Sequence, residues 1–213
     1  MLAAGKKGLG FGCGEEPLSS LFASYGCEIL ATDLDMNDQN AKSWLNGQNA
    51  QNNVKNINKL GICPSKQFDE LVNFMPVDMN NIPEELYGQF DFNWSSCALE
   101  HIGGMEKSMQ FLINNLKTLK SGGISIHTSE FNLSSENDTC FDPNCFIFRK
   151  QDIEKVISKL QQLGHEVFPM NFKIGNYVAD NYVDIPPYRS DVHLRLEIQK
   201  FVSTSFGLIV RKH

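Results

Sequence analysis

Short apolar runs alternate with amphipathic stretches along most of this chain, and the two patterns predict strands and helices in turn. Apolar residues fill most of positions 8–11 and 28–33, which predicts two short strands. Between them, apolar side chains recur at the spacing of a helix, namely at Leu18, Leu21, Phe22 and Tyr25. Pro17 suits the first turn of this helix, and Gly26 ends it. A strand, a helix and a second strand in this order form a right-handed parallel unit.

The same alternation continues toward the end of the chain. We expect further strands at 74–78, 90–96, 124–128 and 165–172, and a strand-rich segment at 194–210. Helical spacing of apolar residues predicts helices at 105–120 and 152–163. Repeated strand–helix alternation is typical of an α/β fold with a mostly parallel sheet. No repeat or low-complexity linker divides the chain, so we predict a single domain over residues 1–213.

Composition and charge narrow the class of protein. The 213 residues are 41% hydrophobic, which suits a globular domain with a full core. The net charge of -6 argues against binding of nucleic acid through phosphate neutralisation. No run of about 18 apolar residues suggests a membrane span, and the N-terminus lacks the apolar stretch of a signal peptide. None of the six cysteines forms a CxxC pair, which indicates free thiols in a reducing cytoplasm and no structural zinc.

A glycine turn, GFGCG at positions 10–14, follows the first predicted strand. Turns of this kind bring backbone close to nucleotide-like cofactors. A dinucleotide enzyme requires GxGxxG, but no frame of this turn has the third glycine, and Cys13, Glu15 or Pro17 stands there instead. A glutamate at that position would face a pyrophosphate. A nicotinamide dehydrogenase is therefore disfavoured, whereas a cofactor without phosphate tolerates an acid at the turn.

The stretch LGFGCGEEPLSSLFASYGCEILATDLD resembles motif I of the class I S-adenosylmethionine-dependent methyltransferases. Its Gly12-Cys13-Gly14 aligns without a gap with the GCG of that motif. Asp33 then falls where the family keeps its ribose-binding acid, and Leu34 follows it. The resemblance implies that these residues bind the cofactor.

Two positions depart from motif I. Gly10 stands where the motif has an acid, and Glu16 stands where it has its third glycine. Glu15 or Glu16 could contact the methionine ammonium group of the cofactor instead. The alternative is that either glutamate only stabilises the start of a helix, because its negative charge interacts favourably with the helix dipole.

The resemblance also implies the architecture: a doubly wound, mostly parallel sheet of seven strands in the order 3-2-1-4-5-7-6, with the last strand antiparallel and helices on both faces. The 45 positions from Asp33 to Asp78 exceed the usual spacing in the family. We therefore expect an insertion at about residues 36–70, an Asn- and Gln-rich segment that contains Trp44. Few residues precede Gly8, and we expect the N-terminal cap of the family to be missing.

Two later segments resemble further motifs of the same family. In PVDMNNIP, Asp78 and Met79 match the residues that hold the adenine, although Asp78 is also consistent with a turn. FDFNWSSCALEHIGG resembles the motif of the fourth strand, and it adds two cofactor candidates, Ser95 and Ser96.

Glu100 and His101 follow the fourth strand at the spacing where several small-molecule methyltransferases keep a histidine. A neutral imidazole at His101 could remove a proton from a hydroxyl or amine acceptor. The alternative is a structural histidine that caps the loop. Glu100 is a weaker candidate for substrate contact.

The segment LKSGGISIHTSEF matches the family's junction between a helix and the fifth strand. It places His127 and Glu130 at the carboxyl end of this strand, where they could reach the substrate. We expect no metal site, since these residues and His101 show no ligand-like helical spacing. Weaker substrate candidates lie in the loop before the last strand: Tyr188, Arg189 and His193.

The leading hypothesis is an S-adenosylmethionine-dependent methyltransferase that acts on an oxygen or nitrogen of a small molecule, with His101 as its catalytic base. S-adenosyl-L-methionine is then the cofactor, neither nucleic acid nor membrane takes part, and a homodimer is left open. The main alternative is a catalytically impaired or partner-dependent module that binds S-adenosylmethionine without methyl transfer. A nicotinamide dehydrogenase is the third and least favoured class.

Overall fold

The computed structural model describes residues 3–35, 54–142, 145–189 and 193–213. The predicted insertion lies largely outside these residues, as does Trp44. Its described part forms a 3₁₀ helix at Val54–Asn58 and an α-helix at Ser65–Leu71. In the described ranges, no helix is both long enough and apolar enough to cross a membrane.

Ten strands and five α-helices follow one another along the described chain. The strands are β1 (Lys7–Phe11), β2 (Glu28–Asp33), β3 (Val72–Pro76), β4 (Phe90–Ser96), β5 (Leu119–Asn132), β6 (Phe141–Asp142), β7 (Cys145–Phe146), β8 (Glu166–Val167), β9 (Leu196–Ile198) and β10 (Phe201–Arg211). The helices are α1 (Leu18–Ser24), α2 (Ser65–Leu71), α3 (Met105–Asn114), α4 (Lys150–Gln162) and α5 (Val178–Asn181). Further 3₁₀ helices cover Glu84–Leu86, Leu99–His101 and Asn115–Thr118.

Eight of the strands form one sheet in the order β3-β2-β1-β4-β5-β10-β8, with β9 also paired to β10. Strands β1 to β5 are parallel, and β10 runs antiparallel to β5. The predicted order 3-2-1-4-5-7-6 is confirmed, because β8 and β10 are the sixth and seventh strands of that scheme. The short β9 makes an eighth strand that the prediction lacked.

Two element boundaries differ from the prediction for local chemical reasons. The helix predicted to reach residue 120 ends at Asn114, because the Asn115 side-chain amide donates to the carbonyl oxygens of Phe111 and Leu112 and a 3₁₀ turn follows. The strand predicted at 165–172 is only Glu166–Val167. Pro169 has no N–H to extend the ladder with β10.

Helices cover both faces of the sheet, as predicted. On one face, Leu9 and Phe11 pack with Phe111 of α3 and with apolar residues of α4. On the other face, Ile29 and Trp94 pack beneath apolar residues of α1 and α2. We call these the α3/α4 face and the α1/α2 face. Alternate residues of a strand point to opposite faces, so β2 contributes Ile29 to one core and Leu30 to the other.

Asp91, at the start of β4, lies at the amino ends of the parallel strands. Its carboxylate accepts hydrogen bonds from Lys6 Nζ at 2.8 Å, the Lys7 backbone at 2.9 Å and Lys120 Nζ at 2.9 Å. Burial opposes its ionisation, but these bonds outweigh burial and hold the pKa of the carboxyl well below its usual range. Asp91 therefore ties β1, β4 and β5 together at the end of the sheet that is remote from their carboxyl ends.

Helix α4 offers a test of the α3/α4 core. Leu160 is fully buried, and we expect Leu160→Ala to lower the free energy of unfolding by about 2–5 kcal/mol, because it leaves a cavity. Leu163 ends the same helix and is 47% exposed, so Leu163→Ala should cost about 0.5 kcal/mol or less. Urea denaturation measures both, and equal losses would contradict this packing.

Candidate functional site

The carboxyl ends of β1 and β4 meet at the point where the strand order reverses. Gly10 pairs with Trp94 and Phe11 pairs with Ser95, so the two strands lie side by side although β2 and β3 separate them in sequence. Open α/β sheets bind ligands in the crevice at such a point. We call the space between the glycine turn and the end of β4 the β1/β4 crevice.

The glycine turn is packed tightly at the crevice. Gly12 and Gly14 have φ of +57° and +50°, a conformation that side chains disfavour. A Cβ at Gly12 would lie 2.9 Å from Ala98 Cβ and 3.5 Å from Met79 Sδ. The turn, the residues after β3 and the loop after β4 therefore meet at Gly12, which brings three of the predicted motifs together.

Cys13 contributes its backbone to the turn. Its N–H donates to Thr32 O at 3.0 Å, while its side chain is buried in the core of the α1/α2 face. Burial, with the nearby Glu16 carboxylate, raises the pKa of the Cys13 thiol far above its usual range. The thiol is therefore a neutral packing group and not a reactive one.

Asp33 ends β2 beside the turn, as the sequence predicts. Gly14 N–H donates to Asp33 Oδ2 at 3.1 Å, and Leu34 N–H donates to Oδ1 at 2.9 Å. Val77 N–H donates to the Asp33 backbone carbonyl at 2.8 Å and so joins the segment after β3 to the end of β2. The carboxylate is thus oriented by the same glycine turn, and each oxygen of a carboxylate can accept more than one hydrogen bond.

Asp78 and Met79 follow β3 at the same edge of the sheet. Asp78 Oδ1 accepts a hydrogen bond from Asn80 N–H at 2.8 Å, so the side chain stabilises its own turn. Met79 is buried, and its sulfur faces Gly12. The structure thus brings Met79 to the glycine turn and shows Asp78 in a turn at the same edge of the sheet.

The two adjacent glutamates of the turn have different surroundings. Glu15 pairs with Lys59 Nζ at 2.7 Å and with Asn56 Nδ2 at 2.8 Å, and these hydrogen bonds lower its pKa. Glu16 accepts a hydrogen bond from Trp94 Nε1 at 2.7 Å and is also hydrogen-bonded by Ser96. Burial raises the pKa of the Glu16 carboxyl to about 7 in spite of those two bonds. Of the two, Glu16 is the acid placed between the turn and the end of β4.

Gly10 has no room for a side chain. A Cβ there would clash with Cys13 Sγ and would lie 2.5 Å from Trp94 Cζ2. The indole of Trp94 therefore occupies the space beside this position, which explains why glycine stands where motif I has an acid.

Ser95 and His127 lie in the core, not at the crevice. Ser95 Oγ is 2.8 Å from His127 Nδ1, and Ser125 Oγ is 2.7 Å from Nε2. Ser125 Oγ also donates to Asn115 Oδ1, so its single proton is used and Nε2 of His127 must carry the ring hydrogen. The predicted substrate contact of His127 is corrected, since the imidazole is fully buried on the α3/α4 face beside Phe111. The side chain of Ser95 shares this network, which leaves Ser96 as the serine at the crevice.

Glu100 and His101 lie in the 3₁₀ helix after β4. Glu100 is 2% exposed, and its Oε2 accepts a hydrogen bond from Ser129 Oγ at 2.6 Å. Burial raises the pKa of the Glu100 carboxyl to about 7. His101 Nε2 lies 3.9 Å from Glu100 Oε1, and its side chain is 27% exposed. The histidine is thus accessible and has a buried acid next to it.

Cys97 joins Glu100 and Glu130 in a cluster that sequence reasoning missed. One ligand-type atom from each of the three lies within 4.8 Å of the others. Ser203 Oγ donates to Glu130 at 2.8 Å, and burial raises the pKa of Glu130. Cys97 has a φ of +46°, which the sequence does not signal. The proximity arises because β5 extends beyond the end of β4, so that the loop after β4 folds over it.

Two of the three candidates from the loop before β9 contact buried Asp184. His193 Nδ1 lies 3.0 Å from Asp184 Oδ2, and the Arg189 backbone N–H donates to the same oxygen at 3.0 Å. Tyr188 Oη donates to the carbonyl of Glu197 at 2.6 Å. Of these candidates, His193 also interacts electrostatically with Glu130. Arg189 thus contacts its own loop, and Tyr188 contacts strand β9.

A cavity of about 180 Å³ opens where the carboxyl end of β5 pairs with the start of β10. Its apolar wall includes Phe131, Phe172, Ile174 and Leu194, with Ser205 and Phe206 from β10. Sequence reasoning did not find it, because its wall combines segments that are distant along the chain.

Residues 9–127 match the family described as the methyltransferase domain, more than half of the chain. The chain belongs to this family. This match confirms the family predicted from the sequence, the class I, Rossmann-like S-adenosylmethionine-dependent methyltransferases. The cofactor of this family is S-adenosylmethionine. No curated protein matches the sequence.

Solved structures of low sequence identity share the fold. An S-adenosylmethionine-dependent methyltransferase from Mesorhizobium loti is 11% identical, with a TM-score of 0.59, and the match covers 100% of this chain and 93% of that one. The 1,6-didemethyltoxoflavin-N1-methyltransferase of Burkholderia thailandensis is 13% identical over 98% of this chain and 72% of that chain, with a TM-score of 0.54. The [4+2]-cyclase SpnF is 18% identical, with a TM-score of 0.56, over 80% of this chain and 55% of its own length.

The pH dependence of stability tests the position of His127. Burial lowers its pKa to about 3 in the folded protein from an ordinary 6.5, so between these values the unfolded chain binds the proton and the folded chain does not. Stability should therefore fall as the pH drops from 6.5 toward 3. We expect this slope to be steeper in the wild type than in His127→Gln by up to about 1.4 kcal/mol per pH unit. Urea denaturation at several pH values measures it, and equal slopes would mean that the imidazole reaches solvent.

Proposed function

We propose that this protein binds S-adenosylmethionine in the β1/β4 crevice and transfers its methyl group to an oxygen or nitrogen of a small molecule. The observation that carries the proposal is the convergence at Gly12, where the glycine turn meets Met79 and Ala98 while Gly14 orients the Asp33 carboxylate. These are the parts that a nucleoside with a charged tail requires: a close backbone, an apolar wall and an acid.

The residues around the crevice fit the groups of the cofactor. The Asp33 carboxylate suits the two ribose hydroxyls, because a charged acceptor forms strong hydrogen bonds with hydroxyl donors. Met79, with Leu34, supplies an apolar surface for the adenine, and Asp78 lies at the same edge. Glu16 supplies a carboxylate for the ammonium group, with Ser96 beside it. The donor carries no phosphate, so a turn with two glutamates is compatible with it.

For methyl transfer the protein mainly has to position the acceptor and remove its proton. When bound, S-adenosylmethionine supplies an electrophilic methyl group on a sulfonium. The chain's own residues then have to hold the acceptor in line, exclude water and take the proton from its hydroxyl or amine. His101 is the candidate base, because it is accessible and Glu100 beside it can stabilise the imidazolium that forms.

The acceptor side lies toward the ends of β4 and β5. The cluster of Cys97, Glu100 and Glu130 borders the loop that packs on Gly12, and His193 lies close enough to affect Glu130. The Burkholderia neighbour methylates 1,6-didemethyltoxoflavin, which supports a small acceptor by analogy of fold. A cytoplasmic location remains a prediction.

Calorimetric titration with S-adenosylmethionine tests the donor site. Transfer of a labelled methyl group to a panel of phenols, amines and carboxylates tests the reaction. No binding would contradict the proposal. Binding without transfer to any acceptor would favour the alternative of a binding module. The [4+2]-cyclase SpnF shares this fold, so the fold is also used for a reaction other than methyl transfer.

Asp33→Ala should weaken binding of S-adenosylhomocysteine by about 1.5–3 kcal/mol, since it removes a charged acceptor for two hydroxyls. The matched control is Glu28→Ala, which removes an exposed acid at the other end of β2. Calorimetry measures both variants, with the unfolding midpoint as a check on folding. Unchanged affinity in Asp33→Ala would show that the ribose is held elsewhere.

His101→Ala should lower turnover by roughly 10²–10⁴-fold while the affinity for S-adenosylhomocysteine stays close to that of the wild type. The measurement is single-turnover methyl transfer to whichever acceptor of the panel the wild type labels. A variant with unchanged turnover would leave His101 with the structural role that was its alternative.

A further inference from the structure

The acid and the glycine of motif I have exchanged places in this chain, and the structure shows a physical reason. Gly10 stands where the motif has its acid, and Glu16 stands where it has its third glycine. The space beside Gly10 is filled by the indole of Trp94, which would lie 2.5 Å from a Cβ at that position. No side chain, and therefore no acid, fits at Gly10 while Trp94 is in place.

Trp94 also forms a hydrogen bond with the acid at the turn, Glu16. Its Nε1–H donates to Glu16 Oε1 at 2.7 Å, across the junction of β1 and β4. The same residue therefore excludes an acid from one position and anchors an acid at the other. Nothing in the predicted site included Trp94.

The indole is itself held rigidly. It is 3% exposed, lies stacked against Phe92 with ring centroids 5.8 Å apart, and meets Phe22 edge-on at 4.9 Å. Such packing leaves the ring few alternative positions, so the direction of its N–H is fixed by the core of the α1/α2 face. A hydrogen bond from a fixed donor fixes the carboxylate as well.

The groups that face Glu16 in the described part of the chain do not include a cation. From β4 it meets neutral Trp94 and Ser96, and from its own turn it meets Cys13, whose buried thiol is neutral. Among the described residues, no Lys, Arg or His forms an ion pair with Glu16 within 4.0 Å. A partly buried carboxylate in such surroundings is costly unless a cation joins it.

We propose that Trp94 is a positioning residue of the donor site, whose indole N–H holds the Glu16 carboxylate in the β1/β4 crevice to bind the ammonium group of the donor. The inference rests on the proposed function, because it presupposes that the crevice takes S-adenosylmethionine or S-adenosylhomocysteine. Glu16 then supplies the negative charge that Gly10 cannot supply, and Trp94 sets the position of that carboxylate.

The test is the pH profile of S-adenosylhomocysteine affinity in the wild type, Trp94→Phe and Glu16→Gln. Wild-type affinity should rise with pH and level off above a midpoint near 7, as Glu16 ionises. Trp94→Phe keeps an aromatic ring but removes the N–H that favours the ionised carboxyl, so the midpoint should move upward and affinity at pH 7 should fall roughly tenfold. The loss should be recovered at higher pH. Glu16→Gln should bind weakly at every pH, without this midpoint.

Phe22→Leu is the matched control for packing. It loosens the edge-on contact with Trp94 without removing the N–H, so its midpoint should equal that of the wild type. A purely structural role for Trp94 would instead lower affinity in Trp94→Phe by the same factor at all pH values, and that result would overturn the proposal.

Nuclear magnetic resonance supplies a readout that does not depend on the folding of Trp94→Phe. The indole N–H resonance of Trp94 in the wild type, assigned by comparison with Trp44→Phe, should titrate with Glu16 and stop titrating in Glu16→Gln. Saturation with S-adenosylhomocysteine should move that titration to lower pH, because an ammonium favours the carboxylate. A resonance that does not titrate would overturn the proposal. Failure of the wild type to bind S-adenosylhomocysteine would overturn both this proposal and the proposed function, whereas binding with unshifted midpoints would overturn this one alone.

Discussion

The close approach at Gly12 is the constraint on which the site depends. A methyl group at this position would meet Ala98 Cβ at 2.9 Å, so the loop after β4 can lie on the turn only because the residue is glycine. The same loop carries Cys97, Glu100 and His101 toward the end of β5. The absence of a side chain at Gly12 thus lets the β1/β4 crevice adjoin the groups proposed to bind the acceptor.

Electrostatics distinguishes the two ends of the parallel strands. At the amino ends, the Asp91 carboxylate is surrounded by Lys6 and Lys120 and its charge is fully compensated. At the carboxyl ends, Glu16 is partly buried and Glu100 is buried, and burial raises the pKa of each carboxyl to about 7. Acids with raised pKa values are thus concentrated at the end of the sheet where the proposed site lies.

Fold alone does not decide this function, because structures that share the architecture include both methyltransferases and a [4+2]-cyclase. The family match over residues 9–127 and the side chains of the crevice support the proposed function.

A shift of one residue along a strand changes the surroundings of a side chain. Ser95 points into the α3/α4 core with His127, whereas Ser96, the next residue, contacts Glu16. Alternation in strands makes such neighbours serve different environments.

The sequence by itself determined the strand–helix alternation and the glycine turn with its spacing to Asp33, because these depend on local periodicity and on one βαβ unit. The order of the main strands came from the resemblance to the methyltransferase family. Only the tertiary structure decided which of the later candidates come together. It buried His127, brought Cys97 to Glu130 and joined Trp94 to Glu16. These residues are distant along the chain, and their geometry is set by sheet register and core packing rather than by sequence spacing.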